Sequence, residues 1–363
     1  MPRQAVIAAL ITVALYGTFA AVVLRRNAFD ASRIIVAGDE FTDPADAPKG
    51  LSVAARAPGY DAQFYYRLTL APLSAATRVA GIRFDYPVYR AQRIGYPLLV
   101  RLLSGANPQA IPWVMLLLNI AAGGVIAATA ATIVTRWWTA LAVALFPGFL
   151  LTISRDLVEL IEIAFLLLAL RFLLSRRIAV SVLFLTLAVL TKETAILFAL
   201  AAGAATLVQQ RAIVRASAFA IPVAAYIGWK LWLFRLWNLP PNLGASDHFA
   251  LPFAGVAAAM QGANRLLVIE AVIIALFTIV VAMAFRSSRA AAPVKLAWVA
   301  YAALIFTLGV EFWREDWSFL RAASDYAVFG TLIAVESEAL RVPVALLVVA
   351  SWLALAGHII VLR

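Results

Sequence analysis

The run Ala5-Val6-Ile7-Ala8-Ala9-Leu10-Ile11-Thr12-Val13-Ala14-Leu15-Tyr16-Gly17-Thr18-Phe19-Ala20-Ala21-Val22-Val23-Leu24 carries no charged side chain. At about 20 residues it has the length that crosses the hydrocarbon core of a bilayer as a helix. A secretory leader has a shorter apolar core, roughly 7–15 residues, followed by a small-residue cleavage site. The run is therefore read as an uncleaved anchor, with a cleaved leader as the alternative.

The same texture recurs along the chain, near 110–134, 138–153, 157–174, 178–191, 194–208, 213–234, 266–285, 294–310, 323–336 and 342–362. Hydrophobic residues make up 64% of the 363 positions and charged ones 13%, with a mean hydropathy of +0.92. Soluble domains average about 45–50% apolar and 25% charged, so this chain is expected to be solvated by lipid. Only helices and closed barrels satisfy their backbone there. The runs are continuous and lack the alternation of barrel strands, so helices are expected. The predicted fold is all-α: a polytopic transmembrane helical bundle of about 10–11 spans, a number set by the span length. It forms one integral membrane domain over 1–363, with a first span at 5–24, an extracytoplasmic loop at 25–109 and a multi-span bundle at 110–363. Pro147 and Pro222 are predicted kink points. No internal repeat is evident.

The net charge of +11 points to the membrane rather than to nucleic acid. With the N-terminus in the cytoplasm, the inner loops hold Arg136, Arg176, Arg177, Arg211, Arg215, Arg286, Arg289, Lys295 and Arg341, with Glu336 and Glu338 as their acids. The outer short loops are mixed: Arg155, Asp156 and Glu159; Lys192 and Glu193; Glu311, Arg314, Glu315, Asp316 and Arg321. Basic loops favour the cytoplasm, whereas long loops such as 25–109 largely escape the rule. The chain has no cysteine and two histidines, His248 and His358, which excludes thiol chemistry and argues against a His-rich metal site.

Within the first loop, 39–50 reads as flexible, and two interfacial helices are expected at about 60–70 and 91–104. The informative stretches are Tyr60-Asp61-Ala62-Gln63-Phe64-Tyr65-Tyr66 and Asp85-Tyr86-Pro87-Val88-Tyr89-Arg90-Ala91-Gln92-Arg93-Ile94-Gly95-Tyr96-Pro97. Helical spacing puts Asp61 and Tyr65 on one face, and Arg90 and Arg93 on one face. A carboxylate there can activate a hydroxyl, an arginine fork matches a phosphate, and aromatic rings can stack on a sugar. Each residue also has a plainer reading. Asp61 could cap a helix, Asp85 could start a turn, and Arg90 and Arg93 could anchor lipid headgroups. Asp39 and Glu40 form an acidic pair in the stretch read as flexible, and rival Asp61 only through a resemblance to membrane enzymes that carry an Asp-Glu pair in this loop. Arg155, Asp156 and Glu159, like Lys192 and Glu193, could simply pair with one another at membrane depth. Trp229, Trp232 and Trp237 read as belt residues, His248 as a surface residue, and Arg321 as a weak phosphate candidate.

These two stretches resemble the first-loop signature of a bacterial membrane family assigned to cell-surface glycopolymer formation, within the GT-C class of polyprenyl-phosphate-sugar-dependent glycosyltransferases. The family pattern usually has Gly where this chain has Ala62, a methyl that could tighten the approach to a ligand. The turn Thr191-Lys192-Glu193-Thr194 and the acidic loop around Asp156 also resemble that class. The resemblance covers about 40 residues in specific motif, against a far longer likeness of layout. It implies a many-helix fold, Asp61 as catalytic base, a sugar donor on a polyprenyl phosphate, and a glycan or lipid acceptor. Gln63, Tyr65, Asp85, Arg90, Arg93, Asp156, Lys192 and Glu193 are the candidate substrate-binding residues.

The expected activity is an inverting transfer on the periplasmic side of the inner (plasma) membrane. No metal-ligand cluster is evident, although carboxylates and water could hold Mg²⁺ or Mn²⁺. A transporter or flippase of lipid-linked saccharides is the alternative, and a scaffold of an assembly complex is a third reading.

Overall fold

The computed structural model describes residues 2–239, 248–263, 265–314 and 318–362. Helices dominate it, as the apolar runs require. The first, α1 (Arg3–Arg26), is followed by the 25–109 segment, which contains α2 (Ala62–Leu70), α3 (Pro87–Ala91) and α4 (Gly95–Ser104). Next come α5 (Ile111–Ala131), α6 (Ala140–Ala144), α7 (Gly148–Ser154), α8 (Glu159–Leu174), α9 (Ile178–Thr191), α10 (Ile196–Gln210), α11 (Ile213–Ser217) and α12 (Ala220–Trp237). The chain ends with α13 (Ala254–Met260), α14 (Arg265–Ser287), α15 (Ala292–Phe306), α16 (Val310–Arg314), α17 (Ser318–Ala322), α18 (Ser324–Val335) and α19 (Arg341–Leu362).

Among the described residues, 5 helices are long and apolar enough to cross a membrane, which points to a membrane protein. They are α1, α5, the α11–α12 unit, α14 and α19. The count rises to 6 if α6 and α7, bent by 59° across Pro147, form one broken span. The expected kink at Pro147 is thus present. Pro222 lies in the first turn of α12, directly after the break at 218–219 that separates α11 from α12 within their shared span. Other predicted spans fold as shorter helices. The 14 residues of α9 rise about 21 Å at 1.5 Å each, less than the roughly 30 Å hydrocarbon core.

Small residues bring α1 and α5 together. A Cβ at Gly123 would sit 2.6 Å from the Tyr16 ring, so glycine permits this approach, and the Tyr16 hydroxyl donates to the Ala144 carbonyl at 2.6 Å. At one end of the bundle, Glu336 accepts from the Thr135 N–H and hydroxyl, both at 2.6 Å, and Arg289 pairs with Glu338 at 2.8 Å. At the other end, Arg93 of the first loop meets Glu193 and Arg321 meets Glu159. The short loops that charge counting separated therefore contact members of their own group.

The 25–109 segment is folded. Strand β1 (Ala37–Gly38) pairs in parallel with β2 (Val53–Ala54), and β3 (Arg78–Val79) forms a hairpin with β4 (Ile82–Arg83). The stretch 39–50, expected to be flexible, is tied down at several points. The Asp39 carboxylate accepts from the N–H groups of Arg56 and Ala57 at 2.9 and 3.1 Å, and Asp43 pairs with Arg78 at 2.7 Å. Asp39 is thus occupied with backbone.

Helix α2 also differs from expectation. Ala62 through Thr69 are all buried, so α2 is a core helix, not one lying on an interface. Its polar groups are absorbed internally. The Arg67 guanidinium donates to the carbonyls of Thr77, Ile82 and Ala76 and stacks 3.9 Å over Phe84. Arg101 closes the C-terminus of α2 by donating to the Thr69 and Leu70 carbonyls at 2.8 and 2.7 Å, a favourable place for a cation. Helix α4 does expose an apolar face through Leu98, Leu102 and Leu103.

Candidate functional site

The approach to Asp61 is set by backbone packing. Gly59 has φ +72°, and a Cβ there would lie 2.6 Å from both the Gln63 Nε2 and the Gly38 nitrogen. Only glycine fits this turn without strain. Gln63 locks the same turn: its Oε1 accepts from the Thr42 hydroxyl at 2.8 Å and the Gly38 N–H at 3.3 Å, while Nε2 donates to the Pro58 carbonyl at 2.9 Å. Asp61 enters α2 with helical backbone angles and makes no side-chain capping bond. The capping reading is thereby set aside.

The Asp61 carboxylate faces cations instead. Oδ1 accepts from Arg90 Nη1 at 2.7 Å, and Oδ2 accepts from Arg321 Nη2 at 2.9 Å. Arg93 Nη1 stands 3.9 Å away. Each arginine has a second acid. Asp85 takes the Nε and Nη2 of Arg90. Glu159 lies 3.0 Å from the Nε of Arg321. Glu193 takes the Nε and Nη2 of Arg93 at 3.0 and 2.7 Å. The last pair forms because α4 abuts the end of α9: a Cβ at Gly95 would lie 2.6 Å from the Thr191 hydroxyl oxygen. The Tyr60 ring carries Arg155 at 4.3 Å and Arg321 at 5.3 Å, within cation–π range.

Burial pushes the Asp61 carboxyl up, but the charges of Arg321, Arg90 and Arg93 outweigh it and hold the group well below the usual carboxylate range. Burial lowers the Arg90 guanidinium, and the carboxylates of Asp61 and Asp85 more than reverse that. Burial raises the Tyr65 phenol.

Asp61 lines a cavity of about 280 Å³ with Phe41, Tyr60, Phe64, Asp85, Arg90 and Arg321 among its walls. That volume is at the small end of the roughly 300–1,000 Å³ typical of ligand pockets. It suits a single sugar ring or a phosphate head. The walls offer carboxylates, guanidinium groups and aromatic faces together.

The structure separates the candidates. Asp61, Gln63, Asp85 and Arg90 line the cavity. Tyr65, Arg93 and Glu193 stand behind it, with the Tyr65 hydroxyl accepting from Arg93 at 3.3 Å. Lys192 belongs to a different buried cluster, 3.1 Å from Glu162 and 3.5 Å from Asp325. Thr194 donates there at 2.9 Å to either carboxylate. Asp156 is fully buried with a left-handed φ of 47° and is not on the cavity wall. Ala62 is buried in the core, so its methyl packs inward and does not tighten a ligand site.

Arg321, a weak phosphate candidate by sequence, is part of the cavity wall. Glu159 holds Arg321 from behind the wall, and Asp325, an acid in the first turn of the apolar helix α18, belongs to the Lys192 cluster. Of the residues read as belt or surface, Trp232 is exposed, whereas Trp229, Trp237 and His248 make contacts within the protein. Trp229 donates to the Ala91 carbonyl at 3.0 Å, and Trp237 packs on Phe84. His248 sits between the rings of Tyr89 and Phe312. Glu315, Asp316 and Trp317 lie outside the described residues. Among the described residues, no group of three or more His, Asp or Glu side chains is arranged to hold a metal ion.

No family model, curated protein or solved structure matches the chain. The functional reading therefore rests on the residues of this site.

Proposed function

We propose that the protein is a GT-C-type membrane glycosyltransferase that moves a sugar from a polyprenyl-phosphate donor to a cell-surface glycan or lipid acceptor. The observation that carries this reading is the placement of Asp61 on a small polar cavity with Arg90 and Arg321 on its two carboxylate oxygens. The set supplies a base and two phosphate-matching forks within one pocket.

In the reaction, the acceptor hydroxyl gives its proton to Asp61 as its oxygen attacks the anomeric carbon. The new glycosidic C–O bond forms while the bond to the phosphate oxygen breaks. The electron pair leaves with the polyprenyl phosphate, whose charge Arg90 and Arg321 stabilise. Direct displacement inverts the anomeric centre. Arg321 lines the cavity and Arg93 and Lys192 do not, which favours Arg321 over both as the second phosphate ligand. The proposed setting is the inner (plasma) membrane with a cytoplasmic N-terminus and a periplasmic cavity, an orientation supported by the basic loops at the opposite end.

The second reading, a carrier of lipid-linked saccharides, is favoured by the buried Lys192, Glu162 and Asp325 cluster, since charges at such depth mark ion paths in transporters. The proposed transferase reading seats its ligand in the cavity beside Asp61. Purified protein in proteoliposomes, given a panel of polyprenyl-phosphate sugars, should form product, and Asp61→Asn should abolish it. Parental turnover by Asp61→Asn ends the base assignment, and translocation without product favours the carrier.

A further inference from the structure

We infer that Arg90 and Arg321 form a phosphate site that Asp61 fills as an internal anion in the unliganded protein, so that the phosphate which binds there releases its own catalytic base. This deepens the reading above and rests on it for the word catalytic.

The geometry carries the argument. Arg90 and Arg321 reach Asp61 from opposite oxygens, at 2.7 and 2.9 Å, and all three groups line the same cavity. A carboxylate and a phosphate present similar oxygens to a guanidinium fork, so one can replace the other. Arg321 also has donor capacity to spare. Its Nη1 is buried and has no hydrogen-bond partner among the described residues, although Nη2 and Nε are taken by Asp61 and Glu159. A buried donor without a partner is costly, and an incoming phosphate oxygen satisfies it. Arg90 keeps Asp85 on its Nε and Nη2 and offers its Nη1 to the exchange, whereas Arg93 does not line the cavity.

The chemistry needs the exchange. While two guanidinium groups hold Asp61 directly, its oxygens are occupied by donors and its affinity for a proton is low. A phosphate bound across Arg90 and Arg321 takes up their charge and sets a second anion beside the carboxylate. Both changes raise the carboxylate's affinity for a proton. An empty site thus contains a blunted base, and an occupied one an active base.

The test measures binding separately from transfer. Farnesyl monophosphate is titrated into the purified full chain, with inorganic phosphate and uncharged farnesol as the other arms. Asp61→Asn removes the competing anion and should bind farnesyl monophosphate about tenfold more tightly than the parent or better, a change of roughly 1.4 kcal/mol. Arg321→Gln should weaken it in both backgrounds. Inorganic phosphate tightening by the same factor identifies a site for any phosphate, whereas tightening confined to the farnesyl ester identifies the lipid-linked form. Equal or weaker binding by Asp61→Asn overturns the inference. Should that variant fail to fold, the parent labelled with ¹³C-aspartate serves. Its carboxylate infrared band must shift on adding farnesyl monophosphate, and an unchanged band overturns the inference too. An inactive Asp61→Asn that binds no tighter defeats this inference alone, and an active one that binds more tightly defeats only the base assignment.

Discussion

Arg321 reaches Asp61 across 260 positions of sequence, and its Nη2 lies 2.9 Å from the Asp61 Oδ2. The same guanidinium presents its Nε to Glu159 at 3.0 Å. One side chain thereby ties the first loop to the start of α8 and completes the cavity wall. Its replacement by glutamine keeps the bulk and removes the charge. Transfer by Arg321→Gln should fall about 10²–10³-fold, the usual cost of losing one donor to a developing anion. The measurement is kcat in proteoliposomes beside a melting curve. Full activity in a folded Arg321→Gln protein would remove Arg321 from the site.

Glu159 touches Arg321 but does not line the cavity, so it is a positioning residue. Glu159→Gln retains a hydrogen-bond acceptor and loses the charge that orients the fork. The expected result is a lower kcat with little change in KM. In a double-mutant cycle with Arg321→Gln the two losses should not add, because each acts through the same contact. Additive losses place Glu159 in a separate role.

Gly59→Ala tests the turn that delivers Asp61. The new methyl meets the Gln63 amide and the Gly38 backbone at 2.6 Å, at a φ that alanine tolerates poorly. Destabilisation above the ordinary 0.4–1 kcal/mol Gly/Ala backbone effect is expected, about 1–3 kcal/mol. Thermal unfolding reads the stability and the transfer assay reads the displaced carboxylate. An unchanged melting point shows that the turn relaxes.

The helical plan was legible because apolar runs speak through length and composition alone. Asp61 and Arg90 were legible because they are close in sequence and carry a recognisable pattern. Arg321 was not, since its meaning depends on a contact made only when distant helices pack. The stretch 39–50 misled for a different reason. Its Asp, Pro and Gly content is that of a loop, but Asp39 and Asp43 spend their oxygens on Arg56, Ala57 and Arg78. Helix α2 looked amphipathic because Gln63 and Arg67 are polar by type. Their polar atoms bond to turns of the first loop that no local pattern reveals. The runs at 178–191 and 294–310 do fold as helices, α9 and α15, but at 14 and 15 residues they are shorter than the about 20 residues of a straight crossing.

The cluster around Lys192 makes an asymmetric prediction. Two carboxylates, Glu162 and Asp325, share one ammonium, and all three are buried. Lys192→Met leaves acids without a cation, a loss of about 3–5 kcal/mol for a broken buried pair. Asp325→Asn removes surplus negative charge and should cost much less. Thermal inactivation in detergent ranks the two variants. Equal losses show that a proton or cation already balances the second acid.

The last expectation concerns pH. The carboxyl of Asp61 is held well below its unfolded value by Arg321, Arg90 and Arg93 against the opposing effect of burial. A group depressed in the folded state contributes stability above its unfolded pKa, about 3.9, and loses it as pH falls toward the folded value. The melting-point gap between the parent and Asp61→Asn should therefore be constant near neutrality and shrink below about pH 4. Catalysis should report the same carboxylate twice. The acid limb of kcat/KM reflects the free enzyme, where the arginines hold Asp61, so it should lie below the ordinary carboxylate range. The acid limb of kcat reflects the donor complex, where a phosphate occupies Arg90 and Arg321, so it should lie higher. Two limbs at the same pH would mean that the arginines never leave the carboxylate, and Asp61 would then be a charge anchor and not the base.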